Sequence, residues 1–386
     1  MNRLGGKRMK NMCSGSNKVF YGLLCFLVLV MQSCSSYKKF VDQNTSLTDK
    51  ALTLDAKLLY HKVNNIKKVG YAFGHQDALA YGIGWKNKGN VFKSDVHEVT
   101  GDHPAIHGFE IGHIEKGRVQ NLDTVNFDLM KSLIRKAHQE KGIVTISWHP
   151  DNPVSQKSAW DTTEAVKYVL KDGPLHPKYR GWLSRVADFL NDLRDKKGNL
   201  IPVIFRPYHE MNGSWFWWGE GNCTSAEYRQ LWRETVNILS NEFDVHNVLY
   251  AYSVNTFRTV EEYLKYYPGD AYVDILGVDI YQHGTVEDFV EALNTDLAIL
   301  KKIGNDKNKP FALTEAGLNK VPIEDWWTRI LDKNIAQYDI SWALFWRNAW
   351  PSHYFVPYTG ATSSSDFVKF KELPHVLFLK DIKKIK

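Results

Sequence analysis

The sequence predicts an α/β protein built as a single (β/α)8 barrel, and three observations lead there. Eight short apolar runs recur along the 386-residue chain. They are near-continuous rather than alternating, the pattern of parallel strands covered on both faces. Helical stripes with start and stop signals lie between them. Most runs end on a carboxylate, imidazole, amide or indole, as expected where barrel strands deliver their chemistry at one mouth.

The elements follow in chain order. Arg3, Lys7, Arg8, Lys10 and Lys18 precede an apolar run from Val19 to Met31, too short to span a bilayer but suited to the core of a signal peptide. Ser33-Cys34-Ser35-Ser36 follows and resembles a bacterial lipoprotein cleavage site. The expectation is therefore a signal over residues 1–33, with a lipidated Cys34 anchoring the chain to a bacterial membrane. No acidic cluster follows Cys34, which points to a periplasm-facing anchor. A tether and first helix are expected over 34–60, and the barrel over 61–386, as a monomer. Loss of residues 1–33 removes five basic and no acidic residues, so the formal +6 of the full chain becomes +1. The basic balance then gives no argument for nucleic acid. Cys13 and Cys25 leave with the signal, so Cys223 has no disulfide partner and reads as an ordinary packed or loop cysteine.

Strands are expected near Val69–Phe73, Ala105–Phe109, Ile143–Ser147, Pro202–Arg206, Val248–Ser253, Ile275–Asp279, Phe311–Thr314 and Ile340–Phe345. Between the second and third, Phe127, Met130, Leu133, Ile134 and Ala137 form a stripe that stops at Gly142. Thr224 and Glu227 make a capping box, and Tyr228, Leu231, Trp232, Val236 and Leu239 share the face behind it. Thr285 opens another helix, with Phe289, Leu293, Leu297 and Leu300 at helical spacing and Gly304 read as its end. The connection from 150 to 199 is long and carries Trp160 and Tyr179; in a barrel it would wall a cleft. No Gly-rich phosphate loop follows the first run, which disfavours a doubly wound sheet.

The run ends read Gly74-His75-Gln76-Asp77, Glu110, Trp148-His149-Pro150-Asp151, Tyr208-His209-Glu210, Asn255, Asp279-Ile280-Tyr281, Glu315 and Trp346-Arg347-Asn348. Burying a carboxylate without a partner is costly. Glu210 and Glu315 nonetheless sit directly after apolar runs, at the ends of the fourth and seventh strands, and Trp215, Phe216, Trp217 and Trp218 crowd the first of them. One acid, one nucleophile or base, and apolar ring faces are what glycoside hydrolysis needs. His103, His107 and His113 lie close in sequence, but not at zinc spacing, so no metal is expected.

Arg206-Pro-Tyr-His-Glu-Met-Asn-Gly-Ser-Trp-Phe-Trp-Trp-Gly219, with Gly74-His-Gln-Asp77, Trp148-His-Pro150, Asp279-Ile-Tyr281, Thr314-Glu-Ala316 and Phe345-Trp-Arg347, resembles glycoside hydrolase family 26 from about residue 70 to 355. Most members are β-1,4-mannanases of the retaining barrel clan. The resemblance implies Glu210 as acid/base and Glu315 as nucleophile. It implies that Tyr281 and His209 hydrogen-bond Glu315, beside the Arg206 cation. His149 and Trp346 would hold the sugar at the cleaved bond, Trp215 would lie on the leaving-group side, and Trp160 and Arg347 further along the non-reducing side. Trp217 and Trp218 are left open between sugar contact and packing, and His75 and Asp77 between cleft floor and brace. The implied partner is β-mannan or its oligosaccharides, with no cofactor. β-1,3-Xylan or mixed-linkage β-glucan is a second substrate reading, and a non-catalytic glycan-binding barrel a third.

Overall fold

The structure is a computed structural model that describes residues 47–89 and 91–385. The expected signal segment and Cys34 lie outside the described residues. Among the described residues eight parallel strands form the barrel, β1 Tyr71–Gln76, β2 Ile106–Glu110, β3 Ile143–Trp148, β4 Val203–Pro207, β5 Val248–Asn255, β6 Ile275–Tyr281, β7 Phe311–Gly317 and β8 Trp342–Phe345, and a short ninth, Val376–Leu377, pairs alongside β1. Each pairs with the next, and β8 pairs back onto β1 through Ala72 opposite Trp342 and His75 opposite Phe345, which closes the barrel. Helical segments fill every connection, including Phe127–Gln139, His176–Asp192, Ser225–Asn237 and Val286–Lys307.

The first strand begins two residues later than expected. Val69 lies in the turn that closes the preceding helix, its N–H bonded to the Ile66 carbonyl. Gly70 follows with φ +157°, and a Cβ there would lie 2.0 Å from the His375 oxygen. Gly304 does not end its helix, which runs on to Lys307 and stops at Asn308 in the left-handed conformation. Its role is contact: a Cβ there would meet the Phe311 ring at 2.6 Å, so the missing side chain lets the helix seat on β7. Both expected caps form, with Thr224–Glu227 and Thr285–Asp288 each bonding reciprocally.

Strand residues divide between two cores. Phe73, Phe109, Ile146, Phe205, Tyr250, Val278 and Phe345 pack outward under the helices. Ala72, Ile106, Ile204, Leu249, Ala251, Ile275, Ala312 and Leu344 form an inner core, which the first helix, α1 (Leu54–Ile66), covers with Leu59, Tyr60, Val63 and Ile66. The helix crosses the expected boundary at residue 60. Thr53, its N-cap, donates to the His246 carbonyl, Tyr60 to that of Asn308 and Lys62 to that of Lys141. Those acceptors precede β5, β7 and β3, so α1 closes the N-terminal end of the barrel. The opposite end stays polar.

Candidate active site

Along the inside of each strand every second residue faces the barrel interior. The inner column of β4 rises from Ile204 to Arg206, that of β6 from Ile275 through Gly277 to Asp279, and that of β2 from Ile106 through Gly108 to Glu110. Small residues in the middle layer make room for the large polar ones beside them: a Cβ on Gly108 would lie 2.0 Å from the Gln76 amide oxygen. The charges therefore gather one layer above an apolar floor.

Arg206 is the centre of this layer and is fully enclosed. It donates to Asp279 at 2.9 Å, to the Ser253 hydroxyl at 3.0 Å and to Glu315 Oε1. Tyr281 donates to the other oxygen of Glu315 at 2.7 Å. A carboxylate held between a guanidinium and a phenol is fixed in orientation by both of its oxygens. Burial lifts Asp279 to about 7 against the pull of Arg206, and the charge of Glu315 adds to the rise. Thr314 donates to Asp279 at 2.7 Å and holds it in place.

Glu210 stands across from this group, on a turn rather than a strand. Tyr208 and Glu210 both adopt positive φ, 49° and 55°. The Glu210 N–H bonds to the Ser253 carbonyl, which turns the side chain into the cleft. Strain of this kind persists where surrounding contacts over-determine it. Burial raises the Glu210 pKa well above the carboxylate range, and the charges of Asp279 and Glu315 raise it further, while the 2.9 Å hydrogen bond from Trp215 Nε1 opposes the rise. One oxygen each of Glu210, Asp279 and Glu315 lies within 4.8 Å of the others. Arg206 donates to two of this acidic trio, Asp279 and Glu315.

His149 forms the adjoining wall. Its Nδ1–H donates to Glu110 at 2.7 Å, and Glu110 also accepts from Ser147, from the His149 backbone and from Gly112. Burial disfavours the imidazolium, but Glu110's charge and hydrogen bond raise the His149 pKa. Trp160 stacks on His149 with centroids 5.3 Å apart and is half exposed; Trp346 meets its edge at 6.5 Å. His209 lies 3.9 Å from Glu315, in contact but beyond hydrogen-bond range, which corrects the expected bond. Burial and the neighbouring Arg206 hold His209 neutral. Trp217 and Trp218 are fully buried and donate to the Pro150 and His209 carbonyls. They are scaffold, bracing the β3 and β4 loops. Cys223 bonds to the Trp218 carbonyl, and burial pushes its thiol to about 12, which suits packing rather than reactivity. Arg347 pairs with Asp123 at 2.9 Å and touches the Tyr81 hydroxyl, which bonds to Asp77. His75 is buried outside this cluster.

The sequence reading brought Glu210, Glu315, Arg206, Tyr281, His149, Trp160, Trp215 and Trp346 to one mouth. It did not single out Glu110 or Asp279 as partners, although both end strands; the signal was a carboxylate at the same inner register as His149 and Arg206. Asp123 sits in a loop without periodicity and carried no signal.

The profile described as Glycosyl hydrolase family 26 matches residues 48–350. A mannan endo-1,4-beta-mannosidase of Bifidobacterium adolescentis is 34% identical over 284 residues, 71% of this chain and 28% of that protein. One from Bacillus subtilis is 31% identical over 240 residues, 58% of this chain and 60% of its own length. The chain thus spans less than two thirds of either relative. A solved GH26 beta-mannanase from Bacteroides ovatus superposes with a TM-score of 0.83 at 42% identity, covering 86% of this chain and 98% of that one.

Proposed function

The chain belongs to glycosyl hydrolase family 26, and from that premise we propose that it is a retaining β-mannanase, cleaving β-1,4-mannosidic bonds in mannan, galactomannan or glucomannan. One observation carries the reading. One oxygen each of Glu210 and Glu315 lies within 4.8 Å of the other, with the pKa of Glu210 raised by its surroundings and Glu315 ion-paired to Arg206. Retaining glycosidases keep their acids about 5–5.5 Å apart, whereas inverting ones leave room for a water between them.

In the first step the Glu315 carboxylate attacks the anomeric carbon while Glu210 gives its proton to the departing glycosidic oxygen. Arg206 and Tyr281 aim the nucleophile, and Asp279 holds Arg206. The leaving sugar departs past Trp215, and a mannosyl ester forms on Glu315. Glu210, now ionised, takes a proton from water, which attacks the same carbon and frees Glu315, with net retention. His149, fixed by Glu110, and Trp346 line the place of the reacting ring.

Reducing-sugar release from mannan, mixed-linkage glucan and xylan tests the substrate. Mannan should be turned over fastest; faster release from glucan or xylan would reject it. We also propose export and lipidation at Cys34, supported by the apolar core at 19–31 and the small residues around the cysteine. Labelling with a palmitate analogue should mark the chain and fail on Cys34→Ala.

A further inference from the structure

Glu210 owes its place to a turn that the backbone resists. Tyr208 carries a Cβ yet sits at φ 49°, and Glu210 repeats the left-handed conformation at 55°. Relaxation of Tyr208 to the extended region would swing His209 and Glu210 away from Glu315. Tyr208 is therefore held at both ends. Its carbonyl accepts from the Tyr228 hydroxyl at 2.8 Å. Its own hydroxyl enters a cluster closed to solvent, 2.6 Å from the hydroxyl of Tyr179 and 3.3 Å from that of Thr235, while Tyr179 and Thr235 lie 2.5 Å apart. Tyr228 and Thr235 stand two turns apart on one face of the helix Ser225–Asn237. Tyr179 comes from the helix His176–Asp192, in the long connection after β3. All three members of the cluster are at most 1% exposed.

Proton counting gives the cluster a direction. Each hydroxyl has one proton to give. Burial pushes both phenols above their ordinary value, so neither is ionised. Thr235 lies 2.7 Å from the Leu231 carbonyl, which can only accept, and its proton goes there. The 2.5 Å contact between Thr235 and Tyr179 still needs a proton between its oxygens, and Tyr179 supplies it. The Tyr208 proton is then the one that bridges to Tyr179. Tyr208, Tyr179, Thr235 and the Leu231 carbonyl thus form one buried chain in which every proton is used, and bonds in such a chain strengthen one another. A phenylalanine at 208 would fill the same space beside Trp148, Trp217 and Trp218. The hydroxyl adds direction: it fixes which way the ring, and with it the strained turn, must point.

We propose that Tyr179 and Thr235 are positioning residues for the acid/base. Through the Tyr208 hydroxyl they hold the turn that sets Glu210 against the glycosidic oxygen, although neither touches the sugar chain. The proposal rests on the mannanase reading above and ties two outer helices to the proton-donating step.

The test compares kcat/KM for mannotetraose, whose leaving group needs a proton, with kcat/KM for an aryl mannobioside whose leaving group does not. Thr235→Val keeps the shape of the side chain and removes its hydroxyl. It should lower kcat/KM on mannotetraose by about ten- to a hundredfold, the scale of a small misplacement of a catalytic group, and leave the aryl substrate nearly unchanged. Thr235→Ser restores the hydroxyl and should recover most of the loss. Tyr179→Phe cuts the same chain from the other helix and should split the two substrates in the same way. A merely structural role would lower stability in urea without separating the substrates. Equal losses on both, or no loss on mannotetraose in either variant, would overturn the proposal and leave the mannanase reading standing. If the unaltered chain turns over neither substrate, the mannanase reading falls and takes this proposal with it.

Discussion

The two ends of the barrel are made by the same strands and could hardly differ more. At the N-terminal end, Ala72, Ile106, Ile204, Leu249 and Ala312 face inward and α1 seals them from water. Two to four residues further along the same columns, Gln76, Glu110, Arg206, Ser253, Asp279 and Glu315 bring polar and charged side chains to the other end. The foot is held by burial, which is non-directional and tolerant of neighbours. The mouth is held by specific partners: Glu110 accepts from His149, Glu210 from Trp215, and Asp279 and Glu315 from Arg206. Stability and chemistry are thus divided along the barrel axis, and each end should break in its own way.

The largest effect belongs to the mouth. Glu315→Ala removes the nucleophile and should lower kcat by about 10⁴-fold or more, while circular dichroism still reports a folded barrel. Turnover that survives would reverse the role. Glu210→Gln should cost roughly 10²–10⁴-fold on mannan, and far less on an aryl mannoside whose leaving group needs no proton. Equal losses on both substrates would argue against proton donation. In the unaltered chain, activity should fall as pH rises through the raised pKa of Glu210, because only its protonated form can donate.

At the foot, Ile66→Ala opens a hole under α1 and should reduce stability by roughly 2–5 kcal/mol, read from urea unfolding, with kcat unchanged. A changed kcat would show that the two ends are coupled. The smallest expected effect concerns the outer core. Burial, with the charges of His103 and His75 adding to it, lowers His107 to about 3, so the folded chain favours the neutral ring. That contribution is complete above the unfolded value near 6.5 and is lost as pH falls from there towards 3. His107→Leu should therefore gain ground on the unaltered chain in melting temperature as the solution is acidified. A constant difference across pH would remove His107 from the acid response.

Much of this was legible before any coordinates. All eight strands were visible as apolar runs, because a parallel strand buried on both faces has no polar side to hide. The two glutamates were visible because a carboxylate after such a run has no cheap structural explanation. The less legible features depended on contact at long range. Val69 looked like strand but lies in a turn, since Gly70 must pass the His375 carbonyl. Gly304 looked like a stop signal but is a contact point for Phe311. His209 carried an expected hydrogen bond that a 3.9 Å separation denies.

The sequence by itself determined the strand count, the helix caps and the height at which chemistry would emerge, because these follow from residue spacing along one segment. Only the closed barrel decided which charge meets which: Arg206 with Glu315, Glu110 with His149, Asp123 with Arg347. Those partners are 39 to 224 residues apart in sequence. No local periodicity encodes their pairing; it arises when neighbouring columns are brought to one level by the register of the sheet.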